Sequence, residues 1–328
     1  MTARSALQVR DLRVSFPAAG RGRRARFAAV DDVSLTLPAG GSLGLVGESG
    51  CGKSTLARAI VGEVAPDSGE IVVGDSAVAV KRHHLARRQL QMVFQDPMSS
   101  LNPRMTVRQV LSELLRVHRM VPAGEREARC RNLLAEVGLS AEALDVLPSA
   151  LSGGQRQRVS IARALAVEPE ILIADEITSA LDVSIQAQVL ALLLRLQQQL
   201  GLSMLFISHN LAVVRQICDR VAVMYLGRIV EEGPTEQIFC DPQHPYTRLL
   251  LASVPRLSGA PMTIPVAAAE PLGSAVVSGG CRFRPRCPIA RDICQAEDPT
   301  LPRQGDLHVT ACHFPVAGAD LFTSERTA

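Results

Sequence analysis

The segment that decides the fold is Gly47-Glu48-Ser49-Gly50-Cys51-Gly52-Lys53-Ser54. It fits the pattern G-x-x-x-x-G-K-[ST] and lies between an apolar run at 42–46 and a helical pattern that begins at Thr55. In this context the glycines let the backbone curl, so that successive N–H groups and the helix start face phosphate groups. Lys53 would add a charge to the phosphate oxygens and Ser54 a hydroxyl ligand for Mg²⁺. The segment predicts a phosphate-binding loop.

A second element of the same site follows 121 residues later. The apolar run at 171–174 predicts a buried strand, and it ends in the acidic pair Asp175-Glu176. One carboxylate, Asp175, would hold Mg²⁺, and the next, Glu176, would polarise the water that attacks a phosphorus atom. Such a pair is weak support alone, but it is the expected partner of a phosphate-binding loop.

A third motif, Leu151-Ser152-Gly153-Gly154-Gln155, precedes another helical run. Two adjacent glycines at a helix start expose N–H groups at its positive end, which is a second phosphate-binding geometry. The alternative is a simple capped helix, because Ser152 is a good N-cap residue.

Strand and helix patterns alternate through the remaining core, which predicts an α/β fold with a parallel sheet covered on both faces. Alternating apolar residues at 7–16 and 33–37 predict antiparallel strands at the beginning. We expect further strands at 42–46, 171–174, 204–207 and 221–225, and helices at 55–64, 184–200 and 211–218. A helical insertion covers about 97–167. After residue 240 the sequence becomes rich in proline, so we expect a core domain at 1–240 and a loop-rich module at 241–328.

Composition limits the class of protein. The 328 residues are 47% hydrophobic and 20% charged, which excludes intrinsic disorder and a small disulfide scaffold. A net charge of +3, no Trp and two Tyr argue against a nucleic-acid partner. No apolar run reaches the ~18–20 residues of a membrane span, and residues 1–13 lack a signal-peptide core. We therefore expect a cytosolic protein that reaches a membrane through a partner.

Together these motifs resemble those of the ATP-binding-cassette (ABC) ATPases over about residues 7–235. The shared order includes a Q-loop at 93–97, a D-loop at 179–182 and a switch histidine, His209. The resemblance implies a P-loop NTPase core with a RecA-like parallel sheet, an N-terminal antiparallel β subdomain and a helical insertion. It also implies a head-to-tail dimer, in which the signature of one subunit completes the ATP site of the other.

The resemblance also implies roles for individual residues. The nucleotide-binding residues would be Gly47, Glu48, Ser49, Gly50, Cys51, Gly52, Lys53, Ser54, Thr55, Gln95 and Asp175. Within that set, Ser54, Gln95 and Asp175 would surround Mg²⁺. The catalytic residues would be Glu176 and His209, and Asp182 would link the two sites of the dimer. The signature residues Ser152, Gly153, Gly154 and Gln155 would serve the opposite ATP. An aromatic side chain would stack on adenine, with Phe16 preferred and Phe27 the alternative.

Two further motifs resemble one branch of this family. Residues 95–104 and the sequence His244-Pro245-Tyr246 are similar to the oligopeptide/dipeptide importers, a branch that includes nickel importers. That branch implies a second ABC ATPase subunit, two permease subunits, an external solute-binding protein and a place on the cytoplasmic membrane face. Whether the two ATPase subunits are identical or different stays open, as does whether the solute is a peptide or nickel. The alternative from another class is a soluble ABC ATPase that acts on ribosomes or nucleic acid.

Four of the eight cysteines lie in the last 48 residues, at Cys281, Cys287, Cys294 and Cys312. A cytosolic location argues against disulfides, and the lack of a C-x₂-C pair argues against a zinc ribbon. Four thiolates suit an iron–sulfur cluster, with four unlinked thiols as the alternative. Resemblance to tails that hold a [4Fe–4S] cluster favours the cluster. The three arginines at 282, 284 and 286 could offset its negative charge.

Overall fold

The computed structural model describes residues 5–17, 26–74, 76–77, 88–179, 181–253, 279–302 and 307–316. These residues form two sheets with helices packed around them. The strands are β1 Ser5–Pro17, β2 Arg26–Pro38, β3 Ser42–Val46, β4 Ser68–Val73, β5 Ser76–Ala77, β6 Leu90–Val93, β7 Ile171–Asp175, β8 Ser203–Ile207, β9 Arg220–Tyr225, β10 Arg228–Pro234 and β11 Val309–Thr310. The predicted α/β fold is confirmed.

The larger sheet has seven strands in the order β11-β10-β9-β3-β8-β7-β6. Five consecutive strands of this sheet, β9, β3, β8, β7 and β6, pair in parallel, and β3, β7 and β8 are buried along their whole length. Strands buried on both faces read as continuous apolar runs, which is why the sequence revealed three of them. The predicted parallel sheet is this five-stranded part; β10 and then β11 extend it beyond β9 with antiparallel pairing, so the complete sheet is mixed.

The smaller sheet is antiparallel, with the order β2-β1-β4-β5. It confirms the antiparallel strands predicted near the N-terminus. The alternating apolar side chains of β1 and β2 point into a core shared with β3 and the first helix. This packing places the β1–β2 hairpin beside the segment 47–54.

The helices are α1 Lys53–Val61, α2 Pro97–Ser100, α3 Val107–Val117, α4 Arg126–Glu136, α5 Gly153–Leu165, α6 Val183–Leu200, α7 Leu211–Ile217, α8 Thr235–Cys240, α9 Pro245–Ala252 and α10 Ile293–Ala296. Helix α1 ends three residues before the predicted limit because Gly62 takes the left-handed conformation that closes a helix. Gly201 ends α6 in the same way, as the sequence predicted. Helices α2 to α5 lie between β6 and β7 and account for the helical insertion.

The segment after α8 contains more regular structure than the sequence suggested. Helix α9 was not predicted; it begins at Pro245, where proline suits the first helical turn, and His244 caps it. Strand β11 extends the large sheet by pairing with β10. The tail is therefore joined to the core by backbone hydrogen bonds, while the predicted boundary at residue 240 stays a prediction.

One buried carboxylate anchors this tail. Glu231 in β10 has no exposed surface and accepts hydrogen bonds from the backbone N–H groups of Gln243 (2.6 Å) and His244 (2.9 Å). His308 Nε2 lies 2.7 Å from the same carboxylate.

Within the ranges given above, no helix has the length and apolar composition that crossing a membrane requires.

We expect Glu231→Leu to loosen the tail. Each buried N–H left without an acceptor costs about 1–3 kcal/mol, so the free energy of unfolding should fall by about 2 kcal/mol or more. Urea denaturation followed by tyrosine fluorescence measures this, because the chain has two Tyr and no Trp and one of them lies in α9. Glu231→Gln keeps an acceptor oxygen and should lose less; equal stability of Glu231→Leu and the natural chain would contradict the prediction.

Candidate functional site

The candidate site lies at one edge of the large sheet. Strands β7, β8 and β3 are adjacent and parallel, so their carboxyl ends meet at the same edge. The segment 47–54 follows β3, the pair Asp175-Glu176 ends β7, and His209 follows β8. Open α/β sheets place ligand sites at this edge. The structure thus brings together the segment 47–54, the acidic pair and His209, all of which the sequence indicated.

The backbone of the P-loop, residues 47–54, depends on glycine at two tight contacts. Gly52 has φ 113°, and a Cβ there would lie 2.1 Å from the carbonyl oxygen of Ala29 in β2. A Cβ on Gly47 would lie 2.2 Å from the carbonyl oxygen of Met224 in β9. Both distances are far inside van der Waals contact, so any side chain would displace the loop from its neighbouring strands.

Lys53 is the first residue of α1 and is buried. Its ammonium group donates to the carbonyl oxygens of Gly47 (2.8 Å) and Glu48 (2.9 Å). The charge of Lys53 is therefore held within the curve of the P-loop, at the start of a helix whose N–H groups also favour anions.

Ser54 and Asp175 connect the P-loop to β7. The Ser54 hydroxyl donates to Asp175 Oδ1 at 3.2 Å. Burial raises the pKa of Asp175, an effect that the Ser54 hydrogen bond partly offsets. A buried carboxylate beside a hydroxyl is a set of hard oxygen ligands, which suits Mg²⁺. The cation would also remove the cost of keeping this carboxylate charged.

Glu176 and His209 face each other across the ends of β7 and β8. Glu176 Oε1 lies 3.4 Å from His209 Nδ1, and the Glu176 backbone N–H donates to the carbonyl oxygen of Ile207 at 2.9 Å. Glu176 has φ 48°, which is unusual for a residue with a side chain and typical of strained functional positions. The next helix, α7, is capped by Asn210, which accepts from the N–H of Ala212 at 3.1 Å.

Gln95 lies after β6, at the same edge of the sheet. Its side-chain amide is 3.4 Å from the hydroxyl of Ser179, and that hydroxyl donates to the carbonyl oxygen of Glu176 at 2.9 Å. Gln95 is exposed and close to the acidic pair. The contact joins the predicted Q-loop to the predicted D-loop.

The signature residues begin α5. Ser152 and Gln155 form a reciprocal capping box, in which the Ser152 hydroxyl accepts from the Gln155 N–H and the Gln155 side chain accepts from the Ser152 N–H. The capped helix considered from the sequence is thus present, and it leaves Ser152 and Gly153 exposed. In the described ranges, no hydrogen bond joins these residues to the P-loop. Their predicted role at the ATP of another subunit stays a prediction.

Asp182 caps α6 by accepting from the N–H of Ile185 at 2.9 Å. This hydrogen bond, with a second from Ser184, lowers the pKa of Asp182 and keeps it charged. Helices α5 and α6 meet tightly near their starts, since a Cβ on Gly154 would lie 2.6 Å from the Ile185 side chain. The signature and the D-loop therefore form adjacent parts of one surface.

The two candidates for stacking on adenine are neighbours. Phe16 in β1 and Phe27 in β2 are directly opposite each other in the antiparallel ladder, and about two fifths of each is exposed. Side chains at opposed positions lie on the same face of a sheet. Both phenylalanines are therefore available on one face, and the choice between them stays open.

The tail reaches the P-loop through contacts that the sequence did not reveal. The hydroxyl of Tyr246, in α9, accepts from the N–H of Glu48 at 2.9 Å. The guanidinium of Arg286 donates to both carboxylate oxygens of Glu48, at 2.8 Å each. The His-Pro-Tyr motif was noticeable in the sequence, but nothing there indicated that its tyrosine contacts the P-loop.

The four tail cysteines line one small cavity, together with Phe283, His313 and other residues. All four are free thiols, and burial raises the pKa of Cys281, Cys287 and Cys312, the last to about 11. Within the part of the chain that is described, no three His, Cys, Asp or Glu side chains form a group that could hold a metal ion. The predicted iron–sulfur centre therefore stays a prediction.

The expectation that three tail arginines offset the charge of a cluster is wrong for two of them. Arg282 donates to the Asp31 carboxylate and to the carbonyl oxygen of Leu226, and Arg286 binds Glu48. Arg284 alone of the three lines the cysteine cavity. The carboxylates of Asp31 and Glu48 lie in distant parts of the sequence, so spacing in the tail could not indicate these pairs.

A glycine-rich loop between β3 and α1, with an acidic pair at the end of a nearby parallel strand, defines a P-loop ATPase. Comparison with known proteins refines this class. Residues 30–179 match the family described as ABC transporter, and residues 230–294 match the oligopeptide/dipeptide transporter C-terminal region. With the relatives described next, these matches show that the chain belongs to the ABC transporter family and is an ABC ATPase.

Two curated relatives cover most of the chain. A probable peptide ABC transporter ATP-binding protein of Sinorhizobium fredii is 48% identical over 303 residues, which is 90% of this chain and 86% of the relative. The oligopeptide transport ATP-binding protein AppF of Bacillus subtilis is 44% identical over 318 residues, 94% of this chain and 97% of the relative. Neither the nickel alternative nor the ribosome or nucleic-acid alternative finds support among the relatives.

Solved structures give the same family. CbiO1 of Clostridium perfringens, part of the ABC transporter complex cbiONQ, superposes with a TM-score of 0.63 at 28% identity, covering 72% of this chain and 91% of that chain. The ATP-binding cassette MJ0796, a dimer bound to ADP and phosphate in a post-hydrolysis state, gives 0.61 at 27% identity, covering 70% and 98%. The resemblance inferred from the motifs is confirmed.

We expect Gly52→Ala to disable the P-loop without unfolding the chain. The new methyl group would collide with the Ala29 carbonyl, so affinity for a fluorescent ATP analogue should fall by tenfold or more, roughly the effect of losing 1.4 kcal/mol. Gly74→Ala is the matched control, because Gly74 also has positive φ (60°) but open space around it. Gly74→Ala should lose a little stability and keep its affinity; equal affinities for all three proteins would refute the steric argument.

Proposed function

We propose that this chain is the ATP-hydrolysing subunit of a peptide importer, bound to permease subunits at the cytoplasmic face of the membrane. One observation carries the proposal. The same chain contains an ABC transporter domain, with the candidate site at the edge of its large sheet, and a tail that matches the oligopeptide/dipeptide transporter C-terminal region. The names of the relatives from Sinorhizobium fredii and Bacillus subtilis support the peptide class.

We propose that residues 47–55 hold the phosphates of ATP. The N–H groups of the P-loop and the start of α1 bind the oxygens, and Lys53 exchanges its two carbonyl partners for the β- and γ-phosphates. Mg²⁺ would supply charge neutralisation for the transferred phosphoryl group. Ser54, Asp175 and Gln95 would hold it: the Ser54 hydroxyl and the Asp175 carboxylate lie together, and all three side chains offer hard oxygen atoms that fit that ion.

Hydrolysis would depend on the pair at the ends of β7 and β8. Glu176 accepts a proton from the attacking water, and His209, 3.4 Å from Glu176, contacts the γ-phosphate and orients the carboxylate. The positive φ of Glu176 is an uncommon backbone conformation of the kind found at functional sites, which supports the proposal.

A second ATPase subunit would complete the site. The capping box satisfies the N–H groups of Ser152 and Gln155 and leaves those of Gly153 and Gly154, at the first turn of α5, suited to a phosphate. In the described ranges these residues make no hydrogen bond to their own P-loop. The dimeric state of MJ0796 supports a pairing in which these residues serve the partner's ATP, with Asp182 between the sites. ATP binding would close this dimer and hydrolysis would reopen it.

We expect Glu176→Gln to bind ATP and to lose most hydrolysis, by about 100-fold or more, because the amide cannot accept the proton. Glu170→Gln is the matched control, since Glu170 is an exposed residue at the opposite end of β7. In cells that depend on this transporter, Glu176→Gln should also abolish uptake of a labelled peptide. Normal hydrolysis by Glu176→Gln would remove the catalytic role, and loss of nickel uptake with normal peptide uptake would overturn the peptide class.

We also propose that the cysteine cavity holds a [4Fe–4S] cluster. A cluster distributes four thiolate ligands over several iron atoms, so it needs four cysteines around one cavity and not three side chains converging on one ion. The donor set Cys281, Cys287, Cys294 and Cys312 fits that requirement. The raised pKa values of three of these thiols mean that binding the cluster would release protons.

Anaerobic purification should therefore yield protein with about four iron atoms per chain and broad visible absorption. Cys287→Ser should lose both signals. Cys240→Ser is the matched control, because Cys240 is exposed, lies outside the cavity and should leave both signals unchanged. Iron-free, colourless protein from anaerobic cells would contradict the cluster.

A further inference from the structure

Glu48, in the second position of the P-loop, is held by the tail from two sides. Its backbone N–H donates to the Tyr246 hydroxyl at 2.9 Å, and its carboxylate receives two hydrogen bonds of 2.8 Å from Arg286. These partners lie 198 and 238 residues away in sequence. We call Glu48, Tyr246 and Arg286 the P-loop clamp.

The tyrosine of the clamp is rigidly placed. Tyr246 is fully buried, its ring centroid lies 4.6 Å from that of Tyr225 and 5.6 Å from that of Phe283, and its own N–H donates to the capping side chain of His244 at 3.0 Å. Buried aromatic packing of this kind leaves the ring little freedom. The hydroxyl therefore acts as a fixed point for the backbone of the P-loop.

Arg286, the arginine of the P-loop clamp, neutralises the charge of the Glu48 carboxylate within the P-loop. The Arg286 side chain is 14% exposed and that of Glu48 is 24% exposed, so water screens this bidentate pair only partly. Without Arg286, the P-loop would carry an unpaired carboxylate next to the place where anionic phosphates bind, and like charges repel.

We propose that Tyr246 and Arg286 are positioning residues that set the affinity of the P-loop for ATP. Tyr246 fixes the backbone of the loop, and Arg286 cancels the charge of Glu48. This inference rests on the proposed role of the P-loop in binding phosphate. It gives the His-Pro-Tyr motif and the arginine before Cys287 a task in the ATP cycle, beyond the folding of the tail.

The proposal predicts effects of opposite sign at the two ends of one ion pair. Arg286→Gln leaves the Glu48 carboxylate unpaired, so the Kd and KM for MgATP should rise about tenfold with kcat nearly unchanged. Glu48→Gln leaves the positive charge of Arg286 unpaired near the phosphates, so Kd and KM should fall. The double variant Arg286→Gln/Glu48→Gln should return close to the natural values, since no unpaired carboxylate remains.

A purely structural pair would behave differently. Both single variants would break the same contact and raise Kd alike, and the double variant would not recover; that result overturns the charge argument for Arg286. Arg286→Lys, which keeps the charge without the bidentate geometry, should be intermediate. Tyr246→Phe keeps the ring and removes only the acceptor, so Kd should rise about threefold to tenfold; an unchanged Kd would remove Tyr246 from the clamp.

The measurement is titration of the full chain with a fluorescent ATP analogue, paired with ATP hydrolysis by the assembled transporter. Arg215→Gln is the matched control, because Arg215 forms an exposed bidentate pair with Glu236 and its substitution should leave Kd unchanged.

Lys53→Ala separates the two proposals: if this variant retains its affinity for the ATP analogue, the proposed P-loop function fails. If Lys53→Ala loses affinity while the clamp variants do not change it, the clamp alone fails. Should Arg286→Gln fold poorly, Glu48→Gln and Tyr246→Phe decide the outcome.

Discussion

The structure depends on a tight approach between the P-loop and the strands around it. Gly47 and Gly52 have room for a hydrogen atom and for nothing larger, because the carbonyl oxygens of Met224 and Ala29 occupy the space where a side chain would begin. This contact pins the loop between the two sheets. As a result, α1 starts at the edge of the large sheet where β7 and β8 end. The acidic pair and His209 therefore lie at the same edge as the P-loop.

The tail is part of this arrangement and not an appendage to it. Glu231 binds the backbone just before α9, His244 caps that helix, and Tyr246, two residues after His244, reaches Glu48. These hydrogen bonds are buried or partly buried, where an unmade bond costs more than at the surface. Movement of the tail would therefore move the backbone of the P-loop, which is the physical basis for the P-loop clamp.

Local patterns in the sequence predicted much of the core. Strands β3, β7 and β8 read as apolar runs because they are buried on both faces. The glycine at 201 predicted the end of α6, because glycine readily takes the left-handed conformation that closes a helix. Helix α9 was missed because its eight residues are too few for a clear helical period. Strand β11 was missed because its two residues are too few to show an alternating pattern.

The sequence by itself determined the class of protein and indicated the candidate residues at the carboxyl edge of the large sheet. Phosphate binding, metal binding and proton transfer need particular groups at fixed short spacings, and those spacings are visible in the chain. Only the tertiary structure decided which distant charges meet: that Arg286 pairs with Glu48, that Arg282 pairs with Asp31 and that four cysteines line one cavity. An ion pair needs proximity in space and not in sequence, and packing alone supplies that proximity.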